Sequence, residues 1–335
     1  MQKGSQHQLR LFSLREALKR NGLDGFLIPL SDEYQSEFPP ACSQRLAWLT
    51  GFDGSAGIAA VLNERAAIFV DGRYTLQARE QVDRGLFEQF HSTEQPLTSW
   101  LSRYATGKRI GYDPWLHTQA AVARMENTVS ASEVKLVSVP SNPIDSIWYG
   151  RPSLPEQRVF RYHDKMAGRN SAEKRGQIAQ GVKKTLAEAA VITSPESVAW
   201  LLNIRGSDLL HTPVPLCYVI IRADSKVTWF ISPDRVPADI RDHLGTDVEV
   251  LAPATFNDAI KALGTEKTAV LVPDSSPAMV SELVKQSGGQ VINGRDPCEI
   301  PKACKNTAEL AGIRAAHIRD GAALSSFLCW LSKSV

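Results

Sequence analysis

The side chains best suited to metal ligation or to proton transfer near neutral pH are seven histidines, at positions 7, 91, 117, 163, 211, 243 and 317. They are scattered, and no H-E-x-x-H motif or tight carboxylate–histidine cluster gathers them into a metal centre. Asp208 and His211 stand three apart after Arg205 and read as parts of a structural loop. His317 and Asp320, with Arg314 one turn earlier, share a face of a helical pattern, where a surface ion pair is expected rather than acid–base chemistry. In the Asp71-Gly72-Arg73-Tyr74 turn a guanidinium stands at a sheet edge. Its fork fits a carboxylate, either that of a peptide or a dimer mate, or that of a neighbour such as Glu37 or Asp71. The loop Asp53-Gly54-Ser55-Ala56-Gly57 has the glycines of an anion cradle. It lacks both G-x-x-x-x-G-K-[ST] and the dinucleotide fingerprint, so a tight turn with unusual glycine dihedrals is expected.

The elements that position these groups alternate between helix and strand. Leu11, Leu14 and Leu18 sit at helical spacing, Gly22 supplies a stop, and Gly25–Pro29 is a buried strand. A helical segment near Ala41–Thr50 precedes a hairpin, Gly57–Leu62 and Ala66–Val70. Strands near Arg109–Tyr112 and Val134–Val139 are interleaved with helices at Arg73–Val82 and Thr118–Glu126. The second half repeats the grammar. It runs helix Ala172–Glu188, strand Ala190–Thr193, helix Pro195–Asn203 and strands Leu216–Ile221, Lys226–Ile231 and Val248–Leu251. Helix Phe256–Leu263, strand Ala269–Pro273 and helix Ala278–Gln286 follow. Residues 47–55 (AWLTGFDGS) and 199–207 (AWLLNIRGS), 152 positions apart, agree at Ala, Trp, Leu, Gly and Ser. A duplicated α/β module follows from the shared surroundings. Proline-rich stretches at 140–155 and 297–301 divide the chain into 1–150, 151–300 and 301–335. Trp48, Trp115, Trp148 and Trp200 are expected as core aromatics beside turns.

The last segment begins with Asn306 and Glu309, a capping-box pair. Leu310, Ile313, Ala316, Leu324, Phe327, Leu328 and Leu331 then mark one helix face. No element follows to cover it, so this helix is expected to open a domain whose remainder lies beyond Val335. Left bare, it would fray, fold back or pair with another copy.

Composition narrows the function. With 38 basic and 36 acidic residues the net charge is +2, which gives no support for a nucleic-acid partner. No apolar run is long enough for a membrane span, and the first residues lack a signal-peptide core. Five cysteines, an odd number without a C-x-x-C pair, are expected as reduced thiols of a cytoplasmic protein.

LIPLSDEYQSEF (27–38), AWLTGFDGSAG (47–57), FVDGRYTLQA (69–78), GYDPWL (111–116), WLLNIRGSD (200–208), HTPVP (211–215) and PKACKNTAELAGIRAAHIRDG (301–321) occur in that order. Together they resemble the three-domain aminopeptidase P family of Xaa-Pro aminopeptidases, within the pita-bread metallopeptidase and creatinase superfamily. The resemblance implies two creatinase-N-terminal-like modules, each a mixed sheet flanked by helices, and the first helix of a pita-bread domain. It also implies a catalytic domain in which two Asp, one His and two Glu bind two divalent metals, usually manganese. Their water attacks the bond between an N-terminal residue and proline, because two cations lower its pKa and polarise the carbonyl.

Those ligand segments are expected beyond Val335, leaving a non-catalytic N-terminal part without a metal of its own. Its implied roles are homodimerisation and gating of peptides with proline in second position. Glu37 and Arg73 are the candidates for contact with a dimer mate's active site, Glu37 meeting the substrate's ammonium or serving as Arg73's partner. Arg205 and His211, with Asp208 between them, are the candidates facing the catalytic cleft, the alternative being a hydrogen-bonded loop stiffened by Pro213 and Pro215. The alternatives are the corresponding part of a creatinase- or prolidase-like hydrolase, and a protein-binding module without catalysis.

Overall fold

Two six-stranded mixed sheets of identical topology underlie the alternating pattern. The structure, a computed structural model, describes residues 3–334. The first module contains α1 (Lys3–Arg20), β1 (Gly25–Pro29), α2 (Arg45–Thr50), β2 (Gly57–Leu62), β3 (Ala66–Val70) and α3 (Thr75–Gln81). It continues with β4 (Glu88–His91), α4 (Leu97–Tyr104), β5 (Arg109–Tyr112), α5 (Gln119–Val129) and β6 (Lys135–Ser138). A short ribbon and helix, β7 (Phe160–Arg161) and α6 (Asp164–Ala167), lead to α7 (Ser171–Lys184), β8 (Ala189–Ile192), α8 (Pro195–Leu202) and β9 (Ile204–Arg205). Then come β10 (Tyr218–Arg222), β11 (Val227–Phe230), α9 (Ala238–Leu244), β12 (Val248–Leu251), α10 (Phe256–Thr265), β13 (Ala269–Pro273) and α11 (Ala278–Gln286). The chain closes with β14 (Gln290–Gly294), α12 (Glu299–Ala303) and α13 (Thr307–Ser334).

The first sheet runs β4-β3-β2-β1-β5-β6 and the second β12-β11-β10-β8-β13-β14. In each, the three successive strands of the hairpin unit pair antiparallel, and the remaining pairings are parallel. Apolar clusters line both faces of both sheets. That double coverage is why β1 and β3 are buried at every residue and read as unbroken apolar runs. No helix among the described residues is long and apolar enough to cross a membrane.

The repeated segment keeps its geometry while changing its chemistry. Both α2 and α8 end on a left-handed residue, Gly51 at φ 84° and Asn203 at φ 52°. Asn203 tolerates that conformation and also uses its amide. Its Nδ2 donates to Asp164 Oδ1 (3.0 Å) and the Arg169 carbonyl (2.8 Å), and its Oδ1 accepts from Lys174 Nζ (2.7 Å).

The 53–57 loop corrects one expectation. Neither Gly54 nor Gly57 has a positive φ. A Cβ on Gly54 would instead collide with the Phe52 ring and lie 2.7 Å from Tyr74, so close aromatic packing requires the glycine. The strands β4 and β14 and the helices α4 and α9 were not among the expected elements. β4 and β14 are edge strands with few fully buried residues, which blurs their alternation.

The modules meet along an aromatic seam. The Tyr218 ring stacks on Tyr34 at 4.6 Å and on Phe256 at 4.2 Å, with Trp115 6.2 Å from both Tyr218 and Phe256. Glu282 on α11 accepts hydrogen bonds from the Tyr112 hydroxyl (3.4 Å) and the Ser138 hydroxyl (2.9 Å) across the seam. The His117 carbonyl accepts from Ala278 N (2.9 Å). The His117 ring is buried with Nε2 unpartnered, and burial pushes its pKa down from 6.5 to about 4. The unfolded chain therefore binds this proton more readily, and the associated stability is present above pH 6.5 and lost as pH falls toward 4. Urea unfolding at fixed pH should show the native chain losing stability over this range more steeply than His117→Phe. Parallel losses would remove the assignment.

Candidate functional site at the module seam

Beside the aromatic stack lies a charged cluster that the sequence did not reveal. Arg45 of α2 is 2% exposed. Its Nε donates to Asp145 Oδ1 (2.7 Å), and its Nη2 donates to Glu33 Oε1 (2.6 Å) and Asp145 Oδ2 (2.9 Å). Arg151 adds an ion pair to Asp145 (2.7 Å) and a hydrogen bond from Nε to the Cys42 carbonyl (2.6 Å). The paired carboxylates hold the Arg45 pKa above its ordinary value despite burial, which acts the other way. Arg45 and Asp145 are a hundred residues apart, so no local spacing could announce the pair.

This cluster pins the start of the inter-module linker. Its end is fixed by Arg235, which donates from Nε to the Gln157 carbonyl (2.8 Å) and accepts Val159 N through its own carbonyl (3.0 Å). Arg235 Nη2 also binds Asp208 Oδ2 at 2.5 Å, and the same oxygen accepts Leu216 N at 2.7 Å. Asp208 is thus a buried structural acid, in keeping with the loop reading. Between the two anchors the linker crosses the seam as an exposed strap. Beside it lies a groove of about 770 Å³ with Phe38 and Pro40 from the first module, Leu154 from the strap and Leu210 from the second module among its walls.

The nominated side chains are distributed unevenly around this groove. Glu37 and His211 adjoin the wall residues Phe38 and Leu210, and both are exposed. His211 holds a left-handed φ of 66°. Arg73 is fixed by Asp71, with Nη2–Oδ2 at 2.7 Å and Nε within 3.2 Å of both carboxylate oxygens. Glu37 adds to the attraction on Arg73 from a longer range without pairing with it. Arg205 lies elsewhere, over the Tyr162 ring at 4.0 Å, donating to the Ile204 carbonyl (2.8 Å). Burial lowers its pKa and that of Lys174, the latter to about 8, and both feel the carboxylate of Glu309.

Glu309 belongs to the foot of α13, where the expected capping box is present. Asn306 N donates to Glu309 Oε2 (2.9 Å) and Glu309 N donates to Asn306 Oδ1 (3.0 Å). Asn306 Nδ2 ties the foot to α6 through the Ala167 carbonyl (2.8 Å). Beyond it no described residue of α13 is buried, and Leu324, Phe327 and Leu328 are 50–58% exposed. The expected ion pair between His317 and Asp320 is not formed, since an exposed pair gains little from holding two side chains in one geometry. Trp200 is buried, whereas Trp48, Trp115 and Trp148 are half-buried, Trp48 and Trp148 stacking at 5.4 Å. All five cysteines are free thiols. Among the described residues no group of three or more His, Cys, Asp or Glu is placed to hold a metal ion.

Models of the creatinase/prolidase N-terminal domain match residues 10–147 and again 150–309. The chain belongs to that family. Two of its similar relatives are probable Xaa-Pro aminopeptidases P. That of Neosartorya fischeri is 34% identical over 97% of this chain and 51% of its own length. That of Coccidioides posadasii is 33% identical over 97% and 55%. This chain thus spans about half the length of the curated relatives it matches. Among solved structures it is similar to the X-prolyl aminopeptidase of Caenorhabditis elegans, a cytosolic enzyme with a di-nuclear active site. The TM-score is 0.89 at 27% identity, covering 98% of this chain and 56% of that one.

The buried Arg45 and the exposed Arg73 separate by experiment. Arg45→Met should cost roughly 2–3 kcal/mol in urea unfolding, below the usual loss for a broken buried pair because both acids reach water. Arg73→Met should leave the unfolding midpoint unchanged. Equal effects would contradict the burial assigned to Arg45.

Proposed function

We propose that this chain is the N-terminal, non-catalytic part of a metal-dependent aminopeptidase that releases the residue preceding proline. Residues 1–150 and 151–300 are its two paired modules, and 301–335 begin the catalytic domain. The observation that carries the reading is the match of nearly the whole chain, at TM-score 0.89, to about half of an X-prolyl aminopeptidase. The bare apolar face of α13 supports it, because an apolar stripe of this kind ordinarily packs against another layer. In this reading two divalent metals, taken to be manganese, reside in the catalytic domain of a cytoplasmic homodimer. The modules form contacts between subunits, with Glu37 and Arg73 toward the partner's substrate. They also restrict entry to short peptides whose second residue is proline, with Arg205 and His211 toward the cleft.

Purified with Mn²⁺, this chain should leave an oligopeptide with proline in second position intact, while the whole polypeptide encoded by its gene should release the first residue. Turnover by residues 1–335 alone would sink the reading, and turnover of creatine or only of Xaa-Pro dipeptides by the whole polypeptide would replace it. Leu324→Ser with Phe327→Ser should lower binding of a hydrophobic dye by the isolated chain without changing its melting temperature. Unchanged dye binding would show that the α13 face is not the exposed apolar surface.

A further inference from the structure

We infer that the seam groove binds an extended peptide segment rich in apolar and basic residues. Three separate stretches bring exposed apolar side chains to one trough: Phe38 at 56% exposure, Leu154 at 61% and Leu210 at 77%. Side chains this exposed gain by being covered, and three converging from two modules and their linker form a continuous patch rather than scattered exceptions. The trough is open to solvent and its volume of about 770 Å³ leaves room for several residues of extended chain.

The strap specifies an extended occupant. Ser153, Leu154, Glu156 and Gln157 lie in no helix or strand, and none of their backbone N–H groups has a backbone acceptor among the described residues. The strap is held at Arg151 and at Gln157, so these donors are already fixed before anything binds. A peptide laid beside them completes a β-type pairing, with alternate side chains meeting the apolar walls.

Charge selects the peptide's composition. No Lys or Arg lines the groove. Glu156 is a wall residue and Glu37 adjoins another, and neither carboxylate forms an ion pair among the described residues. Arg73, the cation whose field reaches Glu37, is bound by Asp71. Arg235, behind the groove, is bound by Asp208. Arg158, exposed and without an ion pair among the described residues, adjoins the wall residue Gln157, so against Glu37 and Glu156 the rim keeps a net negative charge, which favours basic side chains and raises their rate of encounter. The inference rests on the peptidase reading only in taking this peptide to be substrate. Binding is measured without turnover, so its failure leaves the activity test standing.

Fluorescence anisotropy on the 335-residue chain compares two pentapeptides labelled at the C-terminus, Arg-Pro-Leu-Leu-Arg and Glu-Pro-Leu-Leu-Glu. The basic peptide should bind at least about tenfold tighter at low salt, and the difference should shrink as salt rises. Leu210→Ser and Leu154→Ser should each weaken the basic peptide roughly fivefold while leaving the melting temperature unchanged. Glu37→Arg with Glu156→Arg should reverse the preference between the peptides. Equal affinity for both, no binding at millimolar peptide, or binding insensitive to Leu210 and Leu154 overturns the assignment. So does loss of binding in the whole polypeptide, which would mean that another of its own segments fills the groove.

Discussion

The Tyr218 ring, held between Tyr34 of one module and Phe256 of the other's α10, is the contact on which the rest of this architecture depends. Two α/β modules joined by a proline-containing linker would ordinarily move relative to each other. Here the stack removes three large rings from water at once, and Glu282 and His117 close polar bonds on its flank. Because the seam is filled, the linker need not act as a hinge. It becomes a strap whose two ends are bolted by Arg151 and Arg235, and the groove beside it has walls from both modules in fixed relation.

Duplication explains why the halves look alike, and divergence explains why they do different things. The two sheets keep one strand order and one pattern of strand directions. Where the first module ends its helix on Gly51, the second uses Asn203, whose amide gathers Asp164, Arg169 and Lys174 beneath the foot of α13. One substitution at a left-handed position thus converts a plain helix stop into an anchor for the next element. The first module has no comparable load there, and a glycine suffices.

Much of the fold was legible because its signals are local. GFLIP, the 57–70 hairpin, Ala269–Pro273 and Ala278–Gln286 coincide with their sequence readings to the residue, since buried strands and capped helices carry their period with them. The Asn306–Glu309 capping box was readable for the same reason. The seam was not. Arg45 finds Asp145, and Tyr218 finds Tyr34, across separations that no window of sequence spans. Edge strands such as Glu88–His91 escaped because a half-buried strand alternates weakly. The nominated polar residues fared according to their neighbours: Asp71 was already on offer to Arg73, and Arg235 claimed Asp208 from a distant loop.

The terminal helix shows how local and tertiary forces divide the work. An isolated helix in water is marginal unless its sequence is favourable, yet α13 runs for 28 residues with none buried. Two local features and one tertiary tie sustain it. A reciprocal cap contributes about 1 kcal/mol, alanines at 308, 311, 315, 316, 322 and 323 lower the entropic cost, and the Asn306 tie to α6 fixes its direction. None of these needs large side chains at Leu324, Phe327, Leu328 or Leu331. A helix selected only to persist in water would carry charge there. Its apolar stripe is therefore not explained by helix stability alone, and the cap, the alanines and the tie to α6 hold that stripe in one orientation.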